Sequence, residues 1–350
     1  MSLLKNWLSD CLVLRQISLL RNWLAQRLLL REISLLRNWL SYCLVLLVPC
    51  AALAQEYPSR SMTLVVPFAA GSATDLLART LGMAISNRTK QPVVIDNKPG
   101  ASGLIAGQFV ARAAPDGYTV LIGGNTTHAA NQHLYKKLPY DPLNDFIPVT
   151  STGRGAQIML VRPDSPAKSV EQFIALAKTR TLSFASGSSS SRIGSELFQQ
   201  MAGISMLHVP YRSTPQGIAD LLAGQVDMMV TDSVTGIAQV RSGKLFALAV
   251  TSKERSPLLP DVMSIHEAGV TGYELTYWSG AWVPAKTPPE VVNTLNRLIV
   301  EAAHDPSSEA YYKGSATDIF TMTPAQFLAF QIAEAERWGR VIRAAGIEAE

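Results

Sequence analysis

Residues 63–79 read Thr63-Leu64-Val65-Val66-Pro67-Phe68-Ala69-Ala70-Gly71-Ser72-Ala73-Thr74-Asp75-Leu76-Leu77-Ala78-Arg79. Leu64–Phe68 is an apolar run of buried-strand length. Ala69–Gly71 turns the chain. Ser72 stands where a helix N-cap belongs, and Asp75 follows at capping-box spacing. Leu76, Leu77 and Leu81 then carry a helix to about Asn87. The stretch predicts a strand, a turn and a helix whose N-terminus points off the strand's carboxyl end. Unpaired N–H groups and the helix dipole favour an anion there. Ala70–Thr74 is therefore a candidate anion site; the bland alternative is that such a turn needs a Gly and a cap anyway.

Working outward, the alternation continues. Val93–Asp96 reads as a strand, Asn97–Gly103 as a turn and Leu104–Ala113 as a helix. Thr119–Ile122 is the next strand, followed by the polar loop Gly123–His128. Residues 158–283 repeat the theme. Strands are expected at Ile158–Val161, Leu182–Ala185, Leu207–Val209, Val226–Val230 and Leu245–Val250. Helices fall between them, with Ser186–Ser191 as a loop. Residues 284–350 bring helices at 290–303 and about 324–344 and too few strands to fold alone. The expected fold class is α/β, in two domains: 55–157 plus 284–350, with 158–283 inserted. Two crossing segments make a natural hinge. Ligands of open α/β sheets sit at strand carboxyl ends, which places the site in the interdomain cleft.

The first 54 residues are different in kind. Ser-Leu-Leu-Lys/Arg-Asn-Trp-Leu begins at Ser2, Ser18 and Ser34, a period of 16 residues. At roughly 100° per residue each copy is rotated about 160° from the last, so three copies share no straight helical face. A duplicated export signal is the simpler reading. Arg37 is its basic end, Leu40–Val48 its apolar core and Ala52-Leu53-Ala54 its cleavage site. The competing reading is an uncleaved anchor, since 18 uncharged residues lie between Arg37 and Glu56. Export suggests the periplasm. This leader holds six of the 31 basic and two of the 27 acidic residues, leaving 25 of each in 55–350. The body is neutral and gives no argument for nucleic acid. All three cysteines, Cys11, Cys43 and Cys50, also lie in the leader, which excludes disulfides and thiol chemistry from the body.

Several stretches together resemble the Bug family, the TctC-like extracytoplasmic receptors of tripartite tricarboxylate transporters. They begin with Val65–Gly71 with Asp75 and Ala78-Arg79, Asn97-Lys98-Pro99-Gly100-Ala101-Ser102-Gly103 and Pro115-Asp116-Gly117-Tyr118-Thr119. His208-Val209-Pro210-Tyr211-Arg212, Gly224-Gln225-Val226-Asp227, Gly243-Lys244-Leu245 and Glu267-Ala268-Gly269 follow in the same order. The resemblance covers about 55–345. It implies a type II periplasmic-binding-protein fold closing on a small carboxylate, with no cofactor. The grip would come from backbone amides, small hydroxyls and waters of the first strand–helix turn, here Phe68, Ala70, Gly71, Ser72, Ala73 and Asp75, and of neighbouring loops. Ser72 and Ser213 stand where many members carry Gly. Gly187–Ile193 is shorter than the family's loop and has Arg192 where His is usual.

Other candidates follow, each with an alternative. Ala101 and Gly103 let backbone approach a ligand, or simply pack. Thr126 and His128 offer a hydroxyl and an imidazole at a strand end, against a structural histidine. Ser188 and Ser189 contact the ligand, or form a surface linker. Arg212 could pair with a second carboxylate, or make an interdomain ion pair. Asp232 accepts from a ligand amine or hydroxyl, or caps the next helix. Trp278 and Trp282 read as core or hinge packing.

Catalysis finds little support. There is no Gly-x-Ser-x-Gly elbow, His266-Glu267 lacks the second His of a zinc-protease helix, and no metal cluster emerges. The expected function is a monomeric, non-enzymatic receptor for a mono- or dicarboxylate or amino acid. It would serve membrane transporter subunits or a sensor kinase. The reading from another class is a secreted hydrolase using a loop serine, which would require a Ser, a His and an acid in hydrogen-bond range.

Overall fold

A computed structural model describes residues 57–349, together with Arg21, Trp23 and Arg27. The leader's repeats, cysteines and cleavage region lie outside the described residues. The chain divides after Glu56, and from Tyr57 onward it forms one compact unit.

Two arrangements of the same design build that unit, each of five strands, the first with a further two-residue strand. In the first, β1 (Met62–Val66) lies between β2 (Val93–Asn97) and β3 (Thr119–Gly124), all parallel. Strand β9 (Thr276–Pro284) runs antiparallel beside β3, and β4 (Phe146–Val161) beside β9. The two-residue strand, β10 (Thr317–Asp318), is added antiparallel to β4. In the second, β5 (Leu182–Ser186) lies between β6 (Met206–Pro210) and β7 (Met228–Asp232), again parallel. The far end of β4 pairs antiparallel with β7 and with β8 (Phe246–Val250). The strand β4 serves both: through Ala156 it pairs with β9, and from Gln157 it pairs with β7. The two lobes are thus joined through a shared strand.

Strands β1, β3, β5 and β7 have burial patterns dominated by buried residues, as parallel strands covered on both faces should. Helix α1 (Ala73–Thr89) packs Leu77, Leu81 and Ile85 on β1 and on α8 (Pro289–Ala303). The last long helix, α10 (Pro324–Ala344), folds back onto the first lobe and holds β9. Its Gln331 Oε1 accepts from Trp282 Nε1 at 2.9 Å, and its Glu334 Oε2 accepts from Trp278 Nε1 at 2.9 Å. Intervening helices are α2 (Leu104–Ala111), α3 (Asn131–Leu134), α4 (Val170–Thr179), α5 (Ser189–Ala202), α6 (Thr214–Leu222), α7 (Ser233–Arg241) and α9 (Pro306–Ser315).

Three local expectations are corrected. Ser186–Ser191 is not a loop: β5 ends at Ser186, Ser188 caps α5, and Ser189–Ser191 form its first turn. Small hydroxyl residues suit a helix start because they satisfy its orphan amides. Gly123–His128 is not a loop either, since Thr126–Ala130 winds into a π-helical turn. The expected strand at Ile158–Val161 is the end of a 16-residue strand.

Candidate functional site

A narrow cavity of about 70 Å³ lies where the carboxyl ends of β1, β3, β5 and β7 converge. Phe68 and Ser72–Thr74 line it after β1, Gly123–Thr126 at and just beyond the end of β3, Ser188, Ser190 and Ser191 after β5, and Thr231 and Asp232 at the end of β7. Gln157 of β4 and Tyr277, Trp278 and Ser279 of β9 add a wall.

Two helices open onto it in the same way. Ser72 caps α1, and its hydroxyl accepts from Asp75 N at 3.3 Å. Ser188 caps α5 and accepts from Ser191 N at 3.2 Å. The fourth amide of each series, Leu76 N and Arg192 N, goes to the cap carbonyl at 3.0 Å. That leaves the first two amides, Ala73 and Thr74 in α1 and Ser189 and Ser190 in α5, with no acceptor inside their helices. Two dipole-positive ends therefore share one cavity.

Side chains add donors. Asn125 Oδ1 accepts from Trp278 N at 3.2 Å, which leaves its Nδ2 as the spare group. That Nδ2 and Ser190 Oγ are buried and have no hydrogen-bond partner among the described residues. Buried polar groups are normally paired, so a polar solute that supplies the missing partners fits here. Among the described residues the lining contains no Lys, Arg or His, and Asp232 is its one charged residue. Asp232 Oδ1 caps α7, accepting from Thr235 N at 2.8 Å and Thr235 Oγ1 at 2.7 Å. Its Oδ2 has only Thr231 Oγ1, at 3.4 Å. Burial pushes the Asp232 carboxyl up, and the bonds from Thr235 and Thr231 oppose the shift.

The structure brings Phe68, Ser72, Ala73, Thr126, Ser188 and Asp232 together on the cavity. It places the other predicted residues around it. Ala70 and Gly71 lie on the exposed turn before α1. Asp75 is buried beneath that turn, accepting from Gly71 N at 2.9 Å, Arg79 Nε at 3.0 Å and Asn97 Nδ2 at 2.9 Å. Burial alone would raise its pKa, but the bonds from Arg79, Gly71 and Asn97 hold it below the usual carboxylate range. Ala101 and Gly103 form a tight turn before α2. A Cβ on Gly103, at φ +86°, would stand 2.8 Å from Thr127 and 3.0 Å from Pro67, so this glycine serves packing.

His128 stacks on Trp282 at 3.8 Å with the rings 8° apart, and its Nδ1 shares a hydrogen with Thr127 Oγ1 at 2.9 Å. Burial pushes it down to about 3, so it is a neutral core ring. Ser189 Oγ donates to Asn131 Oδ1 at 2.8 Å, across the cleft. Arg212 is exposed and lies off the cavity. A serine–histidine pair does exist, Ser186 Oγ with His208 Nε2 at 2.7 Å, but neither residue lines the cavity.

Sequence reasoning missed Gln157, Thr231, Tyr277, Ser279, Tyr311 and Thr317, and assigned Trp278 to packing. Thr231 carried one available signal, since it directly follows the expected strand Val226–Val230.

Residues 77–347 match the sequence profile described as "Tripartite tricarboxylate transporter family receptor". The chain belongs to that family. Among relatives of this receptor, BugT of Bordetella pertussis is 32% identical over 299 residues, covering 84% of this chain and 91% of BugT. Among solved structures, the R. palustris protein Rpa4515 with adipate is 33% identical with a TM-score of 0.82, covering 84% of this chain and 100% of that one. The periplasmic binding protein BugD is 31% identical with a TM-score of 0.81, at the same coverage. These neighbours share the two-domain periplasmic-binding-protein fold, so the receptor has the fold class that its sequence resemblance implied. Among the described residues no helix is long and apolar enough to cross a membrane.

Proposed function

We propose that the chain is a periplasmic, non-enzymatic solute receptor that closes on one small carboxylate, a mono- or dicarboxylate or an amino acid. It hands the solute to membrane transporter subunits or reports occupancy to a sensor. The supporting observation is that α1 and α5, from opposite lobes, direct unpaired amides into a cavity lined with neutral hydroxyls and amides. A carboxylate there is stabilised by hydrogen bonds and two helix dipoles rather than by an ion pair. The family and the adipate held by Rpa4515 agree with this chemistry.

The lobes correspond to domain 1 (55–157 plus 284–350) and domain 2 (158–283). The supporting feature is the change of partner along β4 at Ala156–Gln157. Closure joins the two half-sites, and the energy for it comes from the solute's preference for the closed form. The leader directs export and is removed after Ala54, leaving a monomer. N-terminal sequencing of the exported protein tests that step, and an intact Ser2 would contradict it.

A thermal-shift panel of organic acids and amino acids tests the main reading. A solute at 100 times its Kd adds about 2.7 kcal/mol to folding stability. At least one carboxylate should raise the Tm, whereas a panel with no response would overturn the assignment.

A further inference from the structure

The cavity lining carries two kinds of under-used polar group. Donors are the first amides of α1 and α5, Asn125 Nδ2 and Ser190 Oγ. Acceptors are Asp232 and Gln157. Asp232 Oδ2 carries one long bond, from Thr231. Gln157 lies directly opposite Asp232 in the β4–β7 register. Residues so paired project from the same face of the sheet. Gln157 Oε1 is also buried with no partner, although the residue lines the cavity.

Among the described residues no lysine, arginine or histidine lines the cavity to neutralise Asp232. A dicarboxylate would satisfy the donors with one end and set its second charge in the same cavity as Asp232, uncompensated. Like charges in a poorly solvated site are costly. A solute bearing an ammonium group reverses the sign of that interaction and supplies up to three N–H donors.

We propose that the solute is a small amino acid, bound as its zwitterion, with its carboxylate on the helix amides and its ammonium on Asp232, with Gln157 beside it. This rests on the reading of the cavity as a carboxylate site and narrows it. Asp232 is then the residue that selects amino acids over dicarboxylates. Its second duty, capping α7, makes a clean test available. Asp232→Asn removes the charge but keeps an oxygen for Thr235, because Asn caps helices as well as Asp.

The experiment titrates the full chain by calorimetry with the twenty standard amino acids, 4-aminobutyrate, succinate and adipate. It then tests the deaminated and hydroxy analogues of the tightest amino acid. An amino acid should bind at least ten-fold tighter than succinate, adipate and its own two analogues. Asp232→Asn should weaken that amino acid at least ten-fold and leave the deaminated analogue within about two-fold, with an unchanged Tm in the absence of solute. Tighter binding of a dicarboxylate than of every amino acid overturns the proposal and leaves the carboxylate site standing. Equal binding of the hydroxy analogue, or an unaltered amino-acid affinity in Asp232→Asn, also overturns it. If no acid of either kind binds, the carboxylate site itself is wrong and the proposal falls with it.

Discussion

Replacing Ser189 with Ala should weaken solute binding without touching the solute. Ser189 Oγ donates to Asn131 Oδ1 at 2.8 Å, and both residues are buried, at 2% and 0% exposure. Asn131 belongs to α3 of the first lobe and Ser189 to α5 of the second, so the bond exists only when the lobes meet. Asn131 is also held from the other side, where its Nδ2 donates to Ser102 O at 2.9 Å, so it cannot turn to find another donor. In Ser189→Ala the buried Oδ1 is left unpaired, a penalty of about 1–3 kcal/mol. In an open form water would satisfy both groups, so the penalty falls on closure. At about 1.4 kcal/mol per factor of ten, the apparent Kd should rise roughly 5- to 150-fold. Calorimetric titration of wild type and variant with the same carboxylate reads this directly. An affinity within two-fold of wild type would refute the reasoning, because the bond would then contribute nothing to closure.

Three further outcomes follow from the same geometry. Asp75→Asn removes the charge that Arg79 and the Gly71 amide share, and should cost about 2–3 kcal/mol in urea unfolding, charge-assisted bonds being worth about 1.5–3 kcal/mol each. Since the folded-state pKa of Asp75 is depressed, its contribution is present above the unfolded carboxylate pKa and lost as pH falls through the folded value, and the variant should lack that acid-side loss. His128, pushed down from 6.5 to about 3, binds its proton only in the unfolded state over that interval. Stability should therefore fall by up to about 1.4 kcal/mol per pH unit below 6.5, and an unchanged slope in His128→Phe would count against it. Gly107→Ala should lower stability by about 1–3 kcal/mol by overpacking, because the new Cβ would stand 2.3 Å from the Tyr140 ring, whose hydroxyl is tied to Thr127 O at 2.9 Å; a wild-type urea midpoint would contradict this.

The strand–turn–helix at 63–79 was legible because each signal was local: an apolar run, a glycine, a serine cap. The helices at 290–303 and 324–344 were legible for the same reason, by apolar periodicity and Pro-marked starts. The long β4 was not. Pro148, Gly153 and Gly155 interrupt its sequence, and the structure accommodates two of them through register shifts after Pro148 and Ser151. Such breaks are tolerated where a partner strand compensates, which no local pattern reveals. Strand β9 was missed because Ser279-Gly280 sits in its middle, where Gly280 makes room for Phe327 of α10.

The site divided along the same line. Ser72 and Ala73 could be found because a helix cap has a sequence signature; Ser188 was reached only as part of an expected serine-rich loop, and the structure makes it a cap. Gln157 and Tyr277 could not, because they reach the cavity from β4 and β9, the two strands whose course was unread. His128 and Ser189 were chosen for their chemistry. Packing gave one a tryptophan to stack on and the other an asparagine across the cleft.

The central claim is that the first amides of α1 and α5 hold the solute's carboxylate. Amide-resolved NMR of the ¹⁵N-labelled protein tests it most directly, during titration with the carboxylate that gives the largest thermal shift. The Ala73, Thr74, Ser189 and Ser190 amides should move together, saturating with one binding constant. Saturable binding that leaves those four amides unmoved would place the solute elsewhere and contradict the account.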